Sequence, residues 1–117
     1  MLRQDYPNLE YIVMDGGSSD GSVDIIRTYS AWLNYWTSAP DQGQSDAINK
    51  GFASSSGDIL GWLNSDDFLA PATLFRVADA LSAAPEVGAV VGIGHKIDRR
   101  AVGFTHPCRT KSPRSLC

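Results

Sequence analysis

Asp66 and Asp67 close an otherwise apolar run, Ile59-Leu60-Gly61-Trp62-Leu63-Asn64-Ser65, and two adjacent carboxylates in that place could hold a divalent cation. Hard cations such as Mg2+ and Mn2+ take oxygen ligands, and commonly bind through one or two carboxylates together with substrate phosphates. A buried strand over residues 58–64 would deliver both acids to its carboxyl end, the edge at which open α/β sheets bind ligands. The same pair also reads as a helix N-cap or a solvated turn.

Two further groups carry polar side chains at informative spacing. Asp15-Gly16-Gly17-Ser18-Ser19-Asp20-Gly21 is a dense turn signal in which Asp15 can anchor an Asx-turn. Gly16 and Gly17 permit a positive φ or close approach of another group. The loop lacks the glycine spacing of a dinucleotide fingerprint, which sets hydride chemistry aside. Asp46 and Asn49 lie three apart, on one helical turn, so both could face a cleft from the amino end of their helix or serve as solvent-facing caps. Lys50 could lie near phosphate but reads more simply as a surface lysine.

The elements that must position these groups alternate. Leu9-Glu10-Tyr11-Ile12-Val13-Met14 is rich in β-formers and runs into the Asp15 loop, and Asp20 or Ser22 can cap a helix carrying Val23, Ile25, Ile26 and Tyr29. A second strand is expected at residues 33–37, before Pro40. Ala47, Ile48, Gly51 and Phe52 repeat at helical spacing as far as the Ser54-Ser55-Ser56-Gly57 breaker. After the strand at 58–64, Pro71 opens a helix with Leu74, Phe75, Val77, Ala78 and Leu81, stopped by Pro85. Residues 87–93 form a β-branched run, and residues 101–104 could return as a hairpin partner. Strands alternating with helices imply an α/β fold with a mostly parallel sheet.

Composition bounds the reading. A chain of 117 residues with 43% hydrophobic and 20% charged content is an ordinary globular domain, and a net charge of -3 argues against non-specific nucleic-acid binding. Lys96, Arg99, Arg100, Arg109, Lys111 and Arg114 make the end basic; such a segment is solvated, or lies near phosphates or an anionic membrane surface. Cys108 and Cys117 define neither a disulfide framework nor a metal motif, so a reducing compartment is expected. No signal peptide and no apolar run of bilayer length is present in these residues. The expected location is cytoplasmic, with a peripheral position at the inner face of the membrane as the variant.

Taken together, the chain resembles the family 2 glycosyltransferases, whose GT-A fold is a Rossmann-like domain binding a nucleotide sugar. The likeness rests on four stretches in order: Gln4-Asp5-Tyr6-Pro7-Asn8-Leu9-Glu10-Tyr11, Asp15 to Ser22, Gln44-Ser45-Asp46-Ala47-Ile48-Asn49-Lys50-Gly51, and Gly57-Asp58-Ile59-Leu60 leading to Asn64-Ser65-Asp66-Asp67. It covers residues 4–94. The resemblance implies that Asp15 accepts a hydrogen bond from the nucleobase, and a carboxylate suits the imide N–H of uracil or thymine. By the same likeness Gly16, Ser18, Asp46, Asn49 and Asp66 attend the nucleotide sugar. Asp66 approaches the ribose or sugar, and Asp67, with Asp66, binds Mn2+ or Mg2+ bridging the diphosphate. In the family a strand ending in a Thr-Pro-like turn precedes these motifs. That strand is not among these residues; by analogy it would lie between the strand ending at Asp15 and the strand ending at Asn64. A family general base is also not identified, since His95 and Asp98 read as turn or surface residues.

These implications give a domain over residues 1–104, a partial nucleotide-sugar-binding unit, and an unstructured tail over 105–117. The implied activity is metal-assisted, inverting transfer of a sugar from a UDP- or dTDP-type donor to the hydroxyl of a glycan, lipid-linked or protein acceptor, as in bacterial polysaccharide biosynthesis. The alternative is a catalytically inactive nucleotide-binding or interaction module of the same fold. With unpaired sheet edges, either version could form a homo-oligomer.

Overall fold

In a computed structural model of the chain, describing residues 1–92, 94, 96–97 and 103–104, the first strand and its neighbour form as the β-rich segments predict. β1 (Ile12–Asp15) pairs in parallel with β2 (Tyr35–Ser38), in the register Ile12↔Tyr35 to Asp15↔Ser38. The ladder continues on both sides, because the Asn34 amide donates to the Tyr11 carbonyl at 2.9 Å and the Ala39 amide to the Asp15 carbonyl at 3.0 Å. Parallel neighbours need a crossover, here α1 (Ser22–Thr28) followed by a 3-10 turn, Ser30–Trp32. The fold is an α/β, Rossmann-like arrangement with a small parallel sheet flanked by helices.

The capping of α1 differs from expectation. Gly21, at φ 90°, occupies the N-cap position, whereas Asp20 stands one residue earlier and accepts from the Ser22 amide at 3.1 Å and the Ser22 hydroxyl at 2.7 Å. α2 (Gln44–Ala53) packs on β1, and α3 (Thr73–Ala83) starts two residues after Pro71 because Ala72 takes a left-handed φ of 58°. Gln4 fastens the amino-terminal 3-10 turn, Leu2–Gln4, to the entry of α3. Its amide donates to the Ala70 carbonyl at 2.9 Å and to Leu69 at 3.5 Å, and its side-chain oxygen accepts from the Leu74 amide at 3.3 Å.

Two expected strands are corrected. Residues 58–64 form no strand: their backbone joins no ladder among the described residues, where β1 pairs only with β2. A strand exists through its ladder, so an extended segment without a hydrogen-bonded neighbour does not become one. Residues 87–92 likewise form no strand despite their β-branched composition, while Ile93 lies outside the described residues. The antiparallel pair near the end is β3 (Lys96–Ile97) with β4 (Gly103–Phe104), so residues 103–104 return onto 96–97 and not onto the 87–93 run. The tail at 105–117 falls outside the described residues.

The chain divides into two units, Met1–Asp79 and Ala80–Cys117. Among the described residues no apolar side chain is fully buried, and Gln4, at 6% exposure, is the sole buried residue. In the first unit the apolar faces of β1, α1 and α2 instead border an open cleft of about 1970 Å³.

Candidate functional site

The carboxyl end of β1 delivers Asp15 into a loop that folds back on it. Asp15 Oδ2 accepts from the Gly17 amide at 3.1 Å, the Ser18 amide at 2.9 Å and the Ser38 hydroxyl at 2.6 Å; Oδ1 accepts from the Ser18 hydroxyl at 2.5 Å. The Ser18 hydroxyl, then that of Ser38, then the Ser18 amide hold the carboxyl down at about 2, with slight burial opposing them. Asp15 is therefore an anion that organises its own loop, the Asx-turn reading, and it also faces the cleft together with Gly16 and Ser18. Gly17, at φ 90°, takes a conformation that L side chains rarely adopt, and a Cβ on Gly16 would come within 2.8 Å of Asp41 Oδ2.

The start of α2 lies against the carboxyl ends of β1 and β2, where Met14, Asp15, Thr37, Ala39, Asp41, Ala47 and Lys50 enclose a water-sized space of about 30 Å³. Asp41 Oδ1 accepts from the Gly43 amide at 2.8 Å, closing the turn into the helix. Asp46 accepts from the Gln42 amide at 3.1 Å and from Lys50 Nζ at 2.6 Å; Lys50 first, then the Gln42 amide, lower its pKa. Asp46 thus ties its helix back to the residue before the N-cap Gly43 and pairs with the next turn. Neither Asp46 nor Asn49 borders the cleft.

Asp66 and Asp67 do border it. They sit on a turn closed by the Asp67 amide donating to the Asn64 carbonyl at 3.1 Å, and α3 begins only at Thr73, so the pair is not a helix N-cap. Asn64 Nδ2 donates to Asp67 Oδ2 at 3.1 Å, and Gln44 Nε2 donates to Asn64 Oδ1 at 2.5 Å. The first residue of α2 thereby fixes an amide that fixes one carboxylate. Asp66 has no hydrogen-bond partner among the described residues and is exposed to solvent.

Ser38, Asp41, Gln44 and Asn64 are the site residues that sequence reasoning gave no role. Ser38 reaches Asp15 only through the parallel register, and Gln44 reaches Asn64 across 20 residues, so neither contact leaves a local signal. Asp41-Gln42-Gly43 did leave one, the turn composition itself.

Donor chemistry decides what a cation would find here. Among the described residues no three His, Cys, Asp or Glu side chains converge as a metal cage. Two adjacent exposed carboxylates fit a hard cation only where phosphate oxygens and water complete its shell.

The family model for glycosyl transferase family 2 matches residues 1–114. The chain belongs to glycosyl transferase family 2. Among curated relatives, an uncharacterized glycosyltransferase of Mycobacterium tuberculosis is 40% identical over 87 residues, covering 74% of this chain and 33% of the relative. An uncharacterized glycosyltransferase of a Nostoc species is 31% identical over 107 residues, covering 84% of this chain and 30% of the relative. Glucosyl-3-phosphoglycerate synthase of Petrotoga mobilis is 32% identical over 109 residues, covering 87% and 33%. This family 2 chain spans about a third of the length of these relatives. No solved structure matches it. Among its described residues no helix is long and apolar enough to cross a membrane.

Proposed function

We propose that this family 2 chain is the donor-binding portion of a glycosyltransferase that moves a sugar from a UDP- or dTDP-type donor to an acceptor hydroxyl, with inversion. The observation that carries the reading is that Asp15 and the Asp66–Asp67 pair, 51 and 52 residues apart in sequence, border one cleft. In this reading Asp15 and Ser18 receive the base edge. The hydroxyls of Ser18 and Ser38 can rotate away from Asp15 and free one of its oxygens for an imide N–H. Gly16 leaves room beside them. Asp46, which stands off the cleft, acts on the nucleotide only indirectly, through its bonds to Gln42 and Lys50, and Asn49 stands off the cleft with it.

Asp67, steadied by Asn64, and Asp66, with both oxygens unengaged among the described residues, would hold Mn2+ or Mg2+ against the diphosphate. A bound cation supplies charge neutralisation at the departing nucleoside diphosphate. The proton of the acceptor hydroxyl needs a general base; His95 and Asp98 lie outside the described residues, and the role is assigned to neither. The acceptor is a glycan, a lipid-linked sugar or a protein, and the reaction is placed in the cytoplasm, against the inner membrane face where the acceptor is lipid-linked.

Calorimetric titration of UDP-glucose, with and without Mn2+, into the chain and into a variant carrying Asp66→Ala and Asp67→Ala tests this. Metal-dependent binding abolished in the variant is the expected result. Equal binding by both proteins overturns the metal site, and no binding by either leaves the inactive interaction module as the better description.

A further inference from the structure

Between the Asp66–Asp67 turn and α3 the chain has little of its own to hold it in place. Phe68 is 71% exposed, and Ala70 and Pro71 are exposed as well, so packing fixes little of this loop. Its local hydrogen bonds lie at its ends, where the Asp67 amide donates to the Asn64 carbonyl and the Thr73 amide and hydroxyl donate to the Ala70 carbonyl. Among the described residues, every hydrogen bond that reaches residues 65–74 from a distant part of the chain comes from one side chain, that of Gln4, 65 to 70 residues away.

The chemistry of Gln4 suits that place. Ala72, which precedes α3 at φ 58°, offers no side-chain acceptor to the free amides of the first helical turn, and Gln4 Oε1 takes the Leu74 amide at 3.3 Å instead. The same carboxamide donates through Nε2 to the Ala70 carbonyl at 2.9 Å and to the Leu69 carbonyl at 3.5 Å. An amide carries both an acceptor and two donors, which neither a carboxylate nor a thioether does. Gln4 is 6% exposed, so water does not compete for these bonds. Tyr6, two residues on, seats the same segment edge-on against Phe75 of α3, with ring centroids 5.1 Å apart.

The turn bearing the two acids is therefore held from both sides. Before it, Gln44 of α2 bonds Asn64, which bonds Asp67; after it, the Gln4 carboxamide grips the backbone beginning at Leu69. We propose that Gln4 is a positioning residue for the Asp66–Asp67 pair, setting where the two carboxylates stand at the cleft by pinning the Leu69 and Ala70 carbonyls. Gln4 bonds to neither acid and acts through the backbone between. Without its donor half, residues 68–72 are released, and Asp67 no longer keeps its fixed bond from Asn64. The inference rests on the cation reading of the pair for its metal measurement alone; its other measurement reads the acids directly.

Two variants separate the roles of the amide. Gln4→Met keeps the volume and removes both halves, whereas Gln4→Glu, ionised at neutral pH, keeps an acceptor for Leu74 and has no donor for Ala70. The first measurement, on the 117-residue chain without metal, follows amide hydrogen exchange together with the Asn64 side-chain amide and Asp67 carboxyl resonances. Both variants are expected to speed exchange at the Asp67 amide by about tenfold or more and to move the Asn64 and Asp67 signals. Exchange at Ile12 to Asp15 stays as in the parent, and Gln4→Glu still protects the Leu74 amide. The second measurement titrates Mn2+ with UDP present. Affinity is expected to fall by about tenfold or more in both variants, the size usual for a partner outside the metal shell, while UDP binding without metal is unchanged. Parent-like Asp67 exchange and resonances in either variant overturn the proposal: in Gln4→Met they remove any link to the acids, and in Gln4→Glu they reduce Gln4 to a cap for α3. Equal loosening of Ile12 to Asp15 also overturns it, because general destabilisation gives that result. Altered Asp67 signals in the variants of a parent that itself binds no Mn2+ uphold the positioning role and remove the cation reading instead.

Discussion

Ser38 stands opposite Asp15 in the parallel register, and its hydroxyl donates to Asp15 Oδ2 at 2.6 Å. This single bond joins the last residues of β1 and β2 and aims the Asp15 carboxylate at a fixed point beside the cleft. With Ser18 it explains why the acid ionises so readily.

The pH dependence of the loop follows from that bond. Asp15 sits at about 2 in the folded chain against an ordinary 3.8, so its ionised form favours the folded loop. A depressed folded-state value contributes stability that is fully present above about 3.8 and is lost as pH falls to about 2. Carboxyl NMR titration should show Asp15 titrating near the lower figure, and Ser18→Ala or Ser38→Ala should each raise it, Ser18→Ala by more.

Gln44 bonds Asn64 and Asn64 bonds Asp67, and on the proposed cation site such supporting hydrogen bonds would matter about 10–100-fold for metal affinity. Asn64→Ala is expected to weaken Mn2+ binding in the presence of UDP by that order, and Gln44→Ala by about tenfold, measured from the Mn2+ electron paramagnetic resonance signal. Unchanged affinity in Asn64→Ala would remove the positioning role.

Gly43 enters α2 at φ 105° and ψ 177°, a region essentially reserved to glycine. Gly43→Ala should destabilise the chain by about 1–3 kcal/mol in urea unfolding. Gly61→Ala, at a site with open space and no left-handed φ, should lie within about 0.5 kcal/mol of the parent.

Gln4 is buried and makes three hydrogen bonds to the entry of α3. Gln4→Ala strands the Leu74 amide and the Ala70 carbonyl, a cost of about 1–3 kcal/mol. Faster exchange at the Leu74 amide, with exchange in α2 unchanged, is the expected signature.

The sequence by itself settled what local chemistry controls. β-formers ending at a Gly-Gly-Ser loop made β1, helical spacing from Ala47 to Phe52 made α2, and the order of four motifs placed the chain in its family, since each depends on near neighbours along the chain. The acids at Asp15, Asp66 and Asp67 were legible for the same reason. Tertiary structure decided which of them share a cleft; Asp46, bonded to Gln42 and Lys50, lies off it, as does Asn49. It also decided that residues 58–64 and 87–92, both rich in β-formers, are not strands among the described residues. Propensity supplies an extended backbone, but a strand needs a neighbour 4.8 Å or so away to accept its hydrogen bonds, and that neighbour is a property of the assembled fold.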